Sequence, residues 1–355
     1  MNFHNINEGA RTIRGLAVLL LLILLTACQA TEYPVDHEQL GSEERIVIRF
    51  SHVVGENTPK GLASRKFAKL LKEKTNGYVE VQVFPNGYLY KDGEELDALL
   101  QGDIQMIAPA TSKITSIVPE WQVLDLPFAF QDVSEVHEYL SGNLRQKFMN
   151  KLKANGVFPL AIWDNGFKQI TNNNHLITSP EDFTSLRFRI MPSPVIKNQF
   201  ETLGSETHSK SFNEVYQLLE KKSIHGQENT FSNIVSKDLQ SLQEYLTVSN
   251  HGYLGYVVIV NKKFWDGLPK DVQMVIKETM KEVTEWEVQL AKELNRKNLR
   301  EIETCSCIEI YELSKQEKQQ WEDALKPVYK QFEARFGAEY IEQLPKFKET
   351  ELPKN

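Results

Sequence analysis

A strand–helix–strand opening constrains this chain more than any other feature. Residues 45–52 (RIVIRFSH) alternate apolar and polar side chains, the period of a half-buried strand. Thr58 then supplies a helix cap and Pro59 a first-turn proline, after which Ala63, Phe67, Leu70 and Leu71 recur at helical spacing. Asn76-Gly77 ends that helix, and Val79, Val81 and Val83 share one face of a second strand over residues 78–84. Two strands joined by a helix run parallel with a right-handed crossover, so the chain is committed to an α/β sheet.

The same grammar continues. Residues 93–101 read as helix, 103–108 as a short apolar strand, 133–155 as a helical stretch and 157–163 as strand. Turn residues Asp164-Asn165-Gly166 mark a crossing, beyond which 186–190 read as strand, and 195–203 and 212–221 as helices. Residues 253–261 (YLGYVVIVN) have the continuous β-branched character of a strand buried on both faces. After Pro269, the apolar residues Val272, Ile276, Met280, Val283, Leu290 and Leu294 stripe a helix reaching about Glu303. At 1.5 Å per residue that is roughly 45 Å, long enough to lie across two lobes. Two lobes are also what the length requires, since about 310 residues exceed what one core supports. The division expected is residues 45–165 with about 255–296 in lobe I, and 166–254 with about 297–355 in lobe II.

The N-terminus addresses the chain to the outside of a membrane. Arg11 and Arg14 precede an apolar run over residues 16–25, too short for a comfortable span, which leads into Leu25-Thr26-Ala27-Cys28. This is a signal peptide with a bacterial lipobox, cleaved before Cys28, whose thiol carries the lipid. The alternative is an ordinary signal peptide with a chance cysteine, which leaves the protein soluble outside the membrane. Residues 29–44 are polar, contain Pro34 and Gly41, and read as a flexible tether.

A formal charge of −7 without any dense basic run excludes a nucleic-acid-binding face. Cys305 and Cys307 have no histidine in zinc-ligand spacing and read as incidental residues on a strand, with a Cys-x-Cys redox pair as the alternative. Nucleophile-elbow, zincin, phosphate-loop and dinucleotide motifs are absent from the sequence. Several side chains instead suit an anion. Arg187 and Arg189 alternate in Leu186-Arg187-Phe188-Arg189-Ile190, and a guanidinium selects a carboxylate bidentately. Asn229 closes the polar stretch His225-Gly226-Gln227-Glu228-Asn229, read as a loop, where it serves as a carboxylate donor or a plain helix cap. Lys168 lies at the crossing between lobes, with a solvated surface charge as the plainer reading.

In this order these segments resemble the substrate-binding subunits of tripartite ATP-independent periplasmic (TRAP) transporters, and among them the DctP family of C4-dicarboxylate-binding proteins. The resemblance covers nearly the whole mature chain. It rests on Phe50-Ser51-His52-Val53-Val54, Asn57-Thr58-Pro59-Lys60-Gly61, Phe84-Pro85-Asn86-Gly87, Asp164 to Gln169, Leu186 to Ile190, Phe212 to Tyr216, and Gly226 to Asn229. It implies a two-lobed, periplasmic-binding-protein-like (type II-like) α/β fold with a hinge and a long helix spanning both lobes. By the same resemblance Arg189 salt-bridges the ligand carboxylate, Asn229 supports it, Phe212 lies against the ligand and His52 contributes from lobe I. Lys168 matches the dicarboxylate branch, and Ser112 and Lys113 engage the distal carboxylate. His225 departs from the family pattern, which commonly has Asp there.

The function implied is non-enzymatic. It is extracytoplasmic capture of succinate, fumarate or malate by a monomer with no cofactor, and delivery to the membrane permease subunits of a TRAP transporter. Reporting to a dicarboxylate sensor kinase, binding another organic acid, and acting as an extracellular hydrolase are the alternatives.

Overall fold

The computed structural model describes residues 45–348; the expected leader, the Cys28 anchor and the tether lie outside the described residues. The opening folds as its periodicity dictates. Strand β1 (Ile46–Ser51) pairs in parallel with β2 (Val79–Phe84), Ile46 opposite Val79, and helix α1 (Pro59–Lys74) crosses between them. The Thr58 hydroxyl accepts from the Gly61 amide at 3.2 Å and caps α1. Ala63, Phe67 and Leu71 are the buried stripe that holds the helix to the sheet.

Next come α2 (Glu95–Gln101), β3 (Met106–Ile107) and α3 (Thr111–Ile114). The helical stretch read over residues 133–155 is two helices, α4 (Val133–Tyr139) and α5 (Gly142–Ala154). They part where Gly142 takes φ +58°, a left-handed conformation that a right-handed helix cannot continue through. Then follow β4 (Val157–Asn172), β5 (Arg187–Ile190), α6 (Pro194–Thr202), β6 (Glu206–Ser209), α7 (Val215–Glu220), β7 (Gly226–Asn229), α8 (Phe231–Ser236) and β8 (Tyr245–Asn261). The chain ends in α9 (Lys262–Gly267), α10 (Lys270–Cys305), β9 (Glu309–Glu312), α11 (Lys315–Ala324), α12 (Lys326–Phe336), α13 (Glu339–Glu342) and α14 (Pro345–Lys348).

One sheet connects both lobes, in the order β2-β1-β3-β8-β4-β7-β5-β6, with β9 beside β8. The antiparallel strands β4 and β8 are shared: Val157 stands opposite Asn261 at one end and Asn172 opposite Tyr245 at the other. Strands β3, β1 and β2 extend the first end, while β7, β5 and β6 extend the second. Asp164-Asn165-Gly166, read as a turn, is instead a register shift within β4. A bulge of this kind bends a strand without ending it. It is held from outside the sheet, because the Asp164 amide donates to Glu287 Oε2 at 3.0 Å and the Asn295 side-chain amide donates to the Asn165 carbonyl at 2.5 Å, both partners lying on α10.

Helix α10 has 36 residues, roughly 54 Å at 1.5 Å per residue, and packs on α1 from one lobe and α8 from the other. It outruns the sequence reading and changes the account of the cysteines. Cys305 is its last residue rather than a strand position, and it is disulfide-bonded to Cys307. Ser306 between them adopts φ +50°, the left-handed turn that ends the helix and brings the two sulfurs together. The C-terminal helices bond to the segments on either side of β4 in the chain. Trp321 of α11 donates to the Thr178 carbonyl at 3.1 Å, and the Tyr340 carbonyl of α13 accepts from Tyr139 of α4 at 2.8 Å.

Candidate functional site

The polar residues that the sheet delivers to one place lie between the β1–α3 segments and the β5–α8 segments. There a small cavity of about 30 Å³ is lined from the first side by Val53, Val54, Lys60, Asp92, Ala110 and Lys113. Arg189, Met191, Phe212, Asn229 and Asn233 line it from the second side, and Leu254 and Tyr256 of the shared strand β8 form its back.

Arg189 sits on β5 between β6 and β7 and is 1% exposed. Its Nε donates to the Lys210 carbonyl at 2.8 Å, which fixes the guanidinium plane, while Nη2 is buried with no hydrogen-bond partner among the described residues. Burying a charge costs several kcal/mol, so an orphaned guanidinium nitrogen facing a cavity calls for an anionic partner. Asn229 ends β7. Its Nδ2 donates to Gln227 Oε1 at 3.1 Å and its Oδ1 accepts from Asn233 at 2.8 Å. Thr230, not Asn229, occupies the cap position of α8.

The stretch read as a polar loop is thus the buried strand β7. Its polar side chains pair with one another: Gln227 donates to Thr171 at 2.9 Å, and Glu228 Oε2 lies 2.7 Å from Lys168 and 3.0 Å from His251.

Phe212 presents its ring to the cavity with the Arg189 guanidinium 6.0 Å from its centroid, and its amide donates to Asp92 Oδ2 at 2.7 Å. Asp92 therefore ties the two sides together. Its Oδ1 is 2.5 Å from Lys113 Nζ on its own side, and its Oδ2 is 3.9 Å from Arg189 Nη2 on the other. Burial pushes the Asp92 carboxyl up, but the Lys113 and Arg189 charges outweigh burial and hold it below the usual range. Asn213 adds a second tie, accepting from the Asp92 amide at 3.2 Å and donating to the Asn86 carbonyl at 3.0 Å.

Of the other residues singled out in the sequence, Lys113 alone is among the cavity's lining residues. Lys113 lines it but is engaged by Asp92. Ser112 lies behind the wall, its hydroxyl 3.4 Å from the sulfur of Met191. His52 is fully buried beside Val53, edge-on to Phe50, and burial together with the Lys60 charge lowers its imidazole to about 3, so it is neutral at physiological pH. Lys168 is fully buried against Glu228 and is not among the lining residues. Lys168, read as lying at the crossing between lobes, is instead half of a core ion pair.

Sequence reasoning missed Lys60, Asp92, Asn233 and Tyr256. Lys60 offered one local signal. It stands in the first turn of α1, where the positive end of the helix dipole disfavours a cation, and is 0% exposed. Asp92 offered none, since Asp before Gly93 is an ordinary turn pair.

The family model for DctP, the bacterial extracellular solute-binding protein family 7, matches residues 50–335, which include both sides of the cavity and the long helix. The chain belongs to the DctP family. Members are extracytoplasmic solute receptors rather than an enzyme family, and this DctP-family chain has the two-lobed α/β architecture with the long α10. It is 47% identical over 94% of its length, and 96% of the relative's, to the C4-dicarboxylate-binding protein DctB of Bacillus subtilis (strain 168). Among solved structures it resembles a TRAP periplasmic solute-binding protein of Shewanella oneidensis with bound succinate. That likeness has a TM-score of 0.83 at 39% identity, covering 84% of this chain and 98% of the other. A second, from Pseudomonas aeruginosa PAO1 with bound L-malate, gives a TM-score of 0.78 at 34% identity over 81% of this chain and 99% of the other.

Proposed function

We propose that this DctP-family protein is the extracytoplasmic receptor for a C4-dicarboxylate such as succinate, fumarate or malate, which it hands to the membrane subunits of a TRAP transporter. The observation that carries this reading is Arg189. It is a buried guanidinium, oriented by Lys210, whose Nη2 has no hydrogen-bond partner among the described residues, in a small cavity that also receives Lys60 and Lys113. A cavity facing three cations and one carboxylate suits a small dianion better than a sugar or a monoacid. The succinate and malate held by the two similar structures support the ligand class, as does the name of the Bacillus subtilis relative.

The mechanism is closure about a hinge. Lobe I comprises residues 45–165 with about 255–296 and lobe II the remainder, and the ligand enters while they are apart. One carboxylate pairs with the Arg189 guanidinium, Asn229 donates to it and the Phe212 ring covers the carbon chain. The Asp92 and Asn213 ties across the cleft reform as the lobes close. Closure is an equilibrium that the ligand biases by touching both sides at once. The protein acts as a monomer held by lipid on Cys28, which Leu25-Thr26-Ala27-Cys28 behind the apolar run supports. It performs no catalysis of its own.

The test is isothermal titration of the chain lacking residues 1–28 with succinate, fumarate, malate, butyrate and sialic acid. Heats of binding confined to the three diacids are expected. Equal binding of butyrate, or binding of sialic acid alone, contradicts the reading.

A further inference from the structure

We infer that Asn165 is a positioning residue that ties the hinge to the β7–α8 junction, so that closure of the lobes and the placing of Asn229 are one movement. This rests on the receptor reading above and deepens it by assigning the joint through which closure and binding communicate. Asn165 is not among the residues that line the cavity. It is the residue at which the chain leaves lobe I, it lies inside the register shift of β4, and it is 0% exposed.

Its side-chain amide is engaged in three directions. Nδ2 donates to the Thr230 hydroxyl and to the Tyr256 hydroxyl, each at 2.9 Å, and Oδ1 accepts from the Ser232 hydroxyl at 2.7 Å. Thr230 and Ser232 follow closely on Asn229, which lines the cavity at the end of β7, and Tyr256 belongs to the cavity's back. The backbone carbonyl of Asn165 accepts from Asn295 Nδ2 of α10 at 2.5 Å, and Asn295 Oδ1 in turn accepts from the Ser232 amide at 3.2 Å. Asn165, Asn295 and Ser232 thus close a ring of hydrogen bonds that joins the shared strand, the long helix and the first turn of α8. Gly166 makes room for the ring. Its φ is +113°, and a Cβ placed there would lie 3.1 Å from Asn295 Nδ2.

A buried amide whose donors and acceptor are all met by hydroxyl groups is held in one orientation. Bending β4 at the bulge without carrying Thr230 and Ser232 along would leave those groups unpaired in the interior, which is unfavourable. The bulge and the β7–α8 junction therefore move together. A ligand that draws Asn229 into place biases the bend at Asn165, and the bend in turn presents Asn229.

The experiment reads affinity and closure separately. The chain lacking residues 1–28 carries spin labels through Lys72→Cys on α1 and Glu220→Cys on α7, both exposed positions, one on each lobe. Pulsed electron paramagnetic resonance gives the distance between lobes, and calorimetry gives the succinate affinity, for this labelled parent and for Asn165→Ala and Ser232→Ala within it. Saturating succinate is expected to bring the parent to a single closed distance. Asn165→Ala should bind succinate roughly 3- to 30-fold more weakly and, even when saturated, keep a second, open population. Ser232→Ala should show smaller changes of the same kind. The double variant should be little worse than Asn165→Ala alone, because both act through one ring.

A role confined to holding the fold together lowers the denaturant midpoint and leaves the saturated distance at its closed value. That outcome, or an affinity unchanged in Asn165→Ala, overturns the inference. Should Asn165→Ala fail to fold, Ser232→Ala decides the matter by the same two readouts. A parent that binds succinate without any change of distance also overturns it, whereas a parent that binds no succinate overturns the dicarboxylate reading itself, a distinct result.

Discussion

Replacing Arg189 by alanine is expected to weaken succinate binding by roughly 30- to several-thousandfold, a loss of about 2–5 kcal/mol. The size follows from preorganisation. The guanidinium is buried by the protein itself, and the Lys210 carbonyl at 2.8 Å fixes its plane. A ligand carboxylate thus gains charge-assisted hydrogen bonds from Nη2 without desolvating the arginine again. Arg189→Lys should fall between the two, because an ammonium keeps the charge but lacks the planar fork. Calorimetric titration of the three proteins measures this. Affinity unchanged in Arg189→Ala would remove the arginine from the site.

The second large effect is on stability. Lys168→Met should cost about 3–5 kcal/mol, because it leaves the fully buried Glu228 carboxylate without its ammonium partner. Joining it to Glu228→Gln should restore part of the loss, since no uncompensated charge then remains. The pair also gives a pH signature. Burial pushes the Glu228 carboxyl up, but Lys168 and then His251 pull it down to about 2. A carboxyl held below its unfolded value of about 4.3 contributes stability that is present above that value and lost as pH falls toward 2. Denaturant unfolding between pH 7 and pH 2 should therefore show an acid limb in wild type that is shallower in Glu228→Gln. Were Lys168 instead a ligand contact, its substitution would abolish succinate binding and leave the unfolding midpoint nearly unmoved.

These two cases mark what was legible in the sequence. Period-two alternation is a local property, so β1, β2 and β5 were readable, and with β5 the arginine that faces the cavity. The 3.6-residue stripe from Val272 to Leu294 likewise disclosed α10, though its last residues, ending at Cys305, carry no apolar marker of the terminus.

Reading failed where a long-range partner overrides composition. Residues 225–229 are polar enough to pass for a loop, and only Thr171, Lys168 and His251, distant in sequence, make their burial as strand β7 affordable. Asp164-Asn165-Gly166 has the composition of a turn, but Glu287 and Asn295 hold it as a bulge. Asp92 acquires its role from Lys113, Phe212 and Arg189, none of them near it in the chain.

The most direct test of the whole account is a crystal structure of the mature protein grown with succinate. One carboxylate should lie on the Arg189 guanidinium within hydrogen-bond distance of Asn229, with the carbon chain against Phe212 and the lobes closed over it. Succinate elsewhere, with Arg189 still unpartnered, would contradict the account.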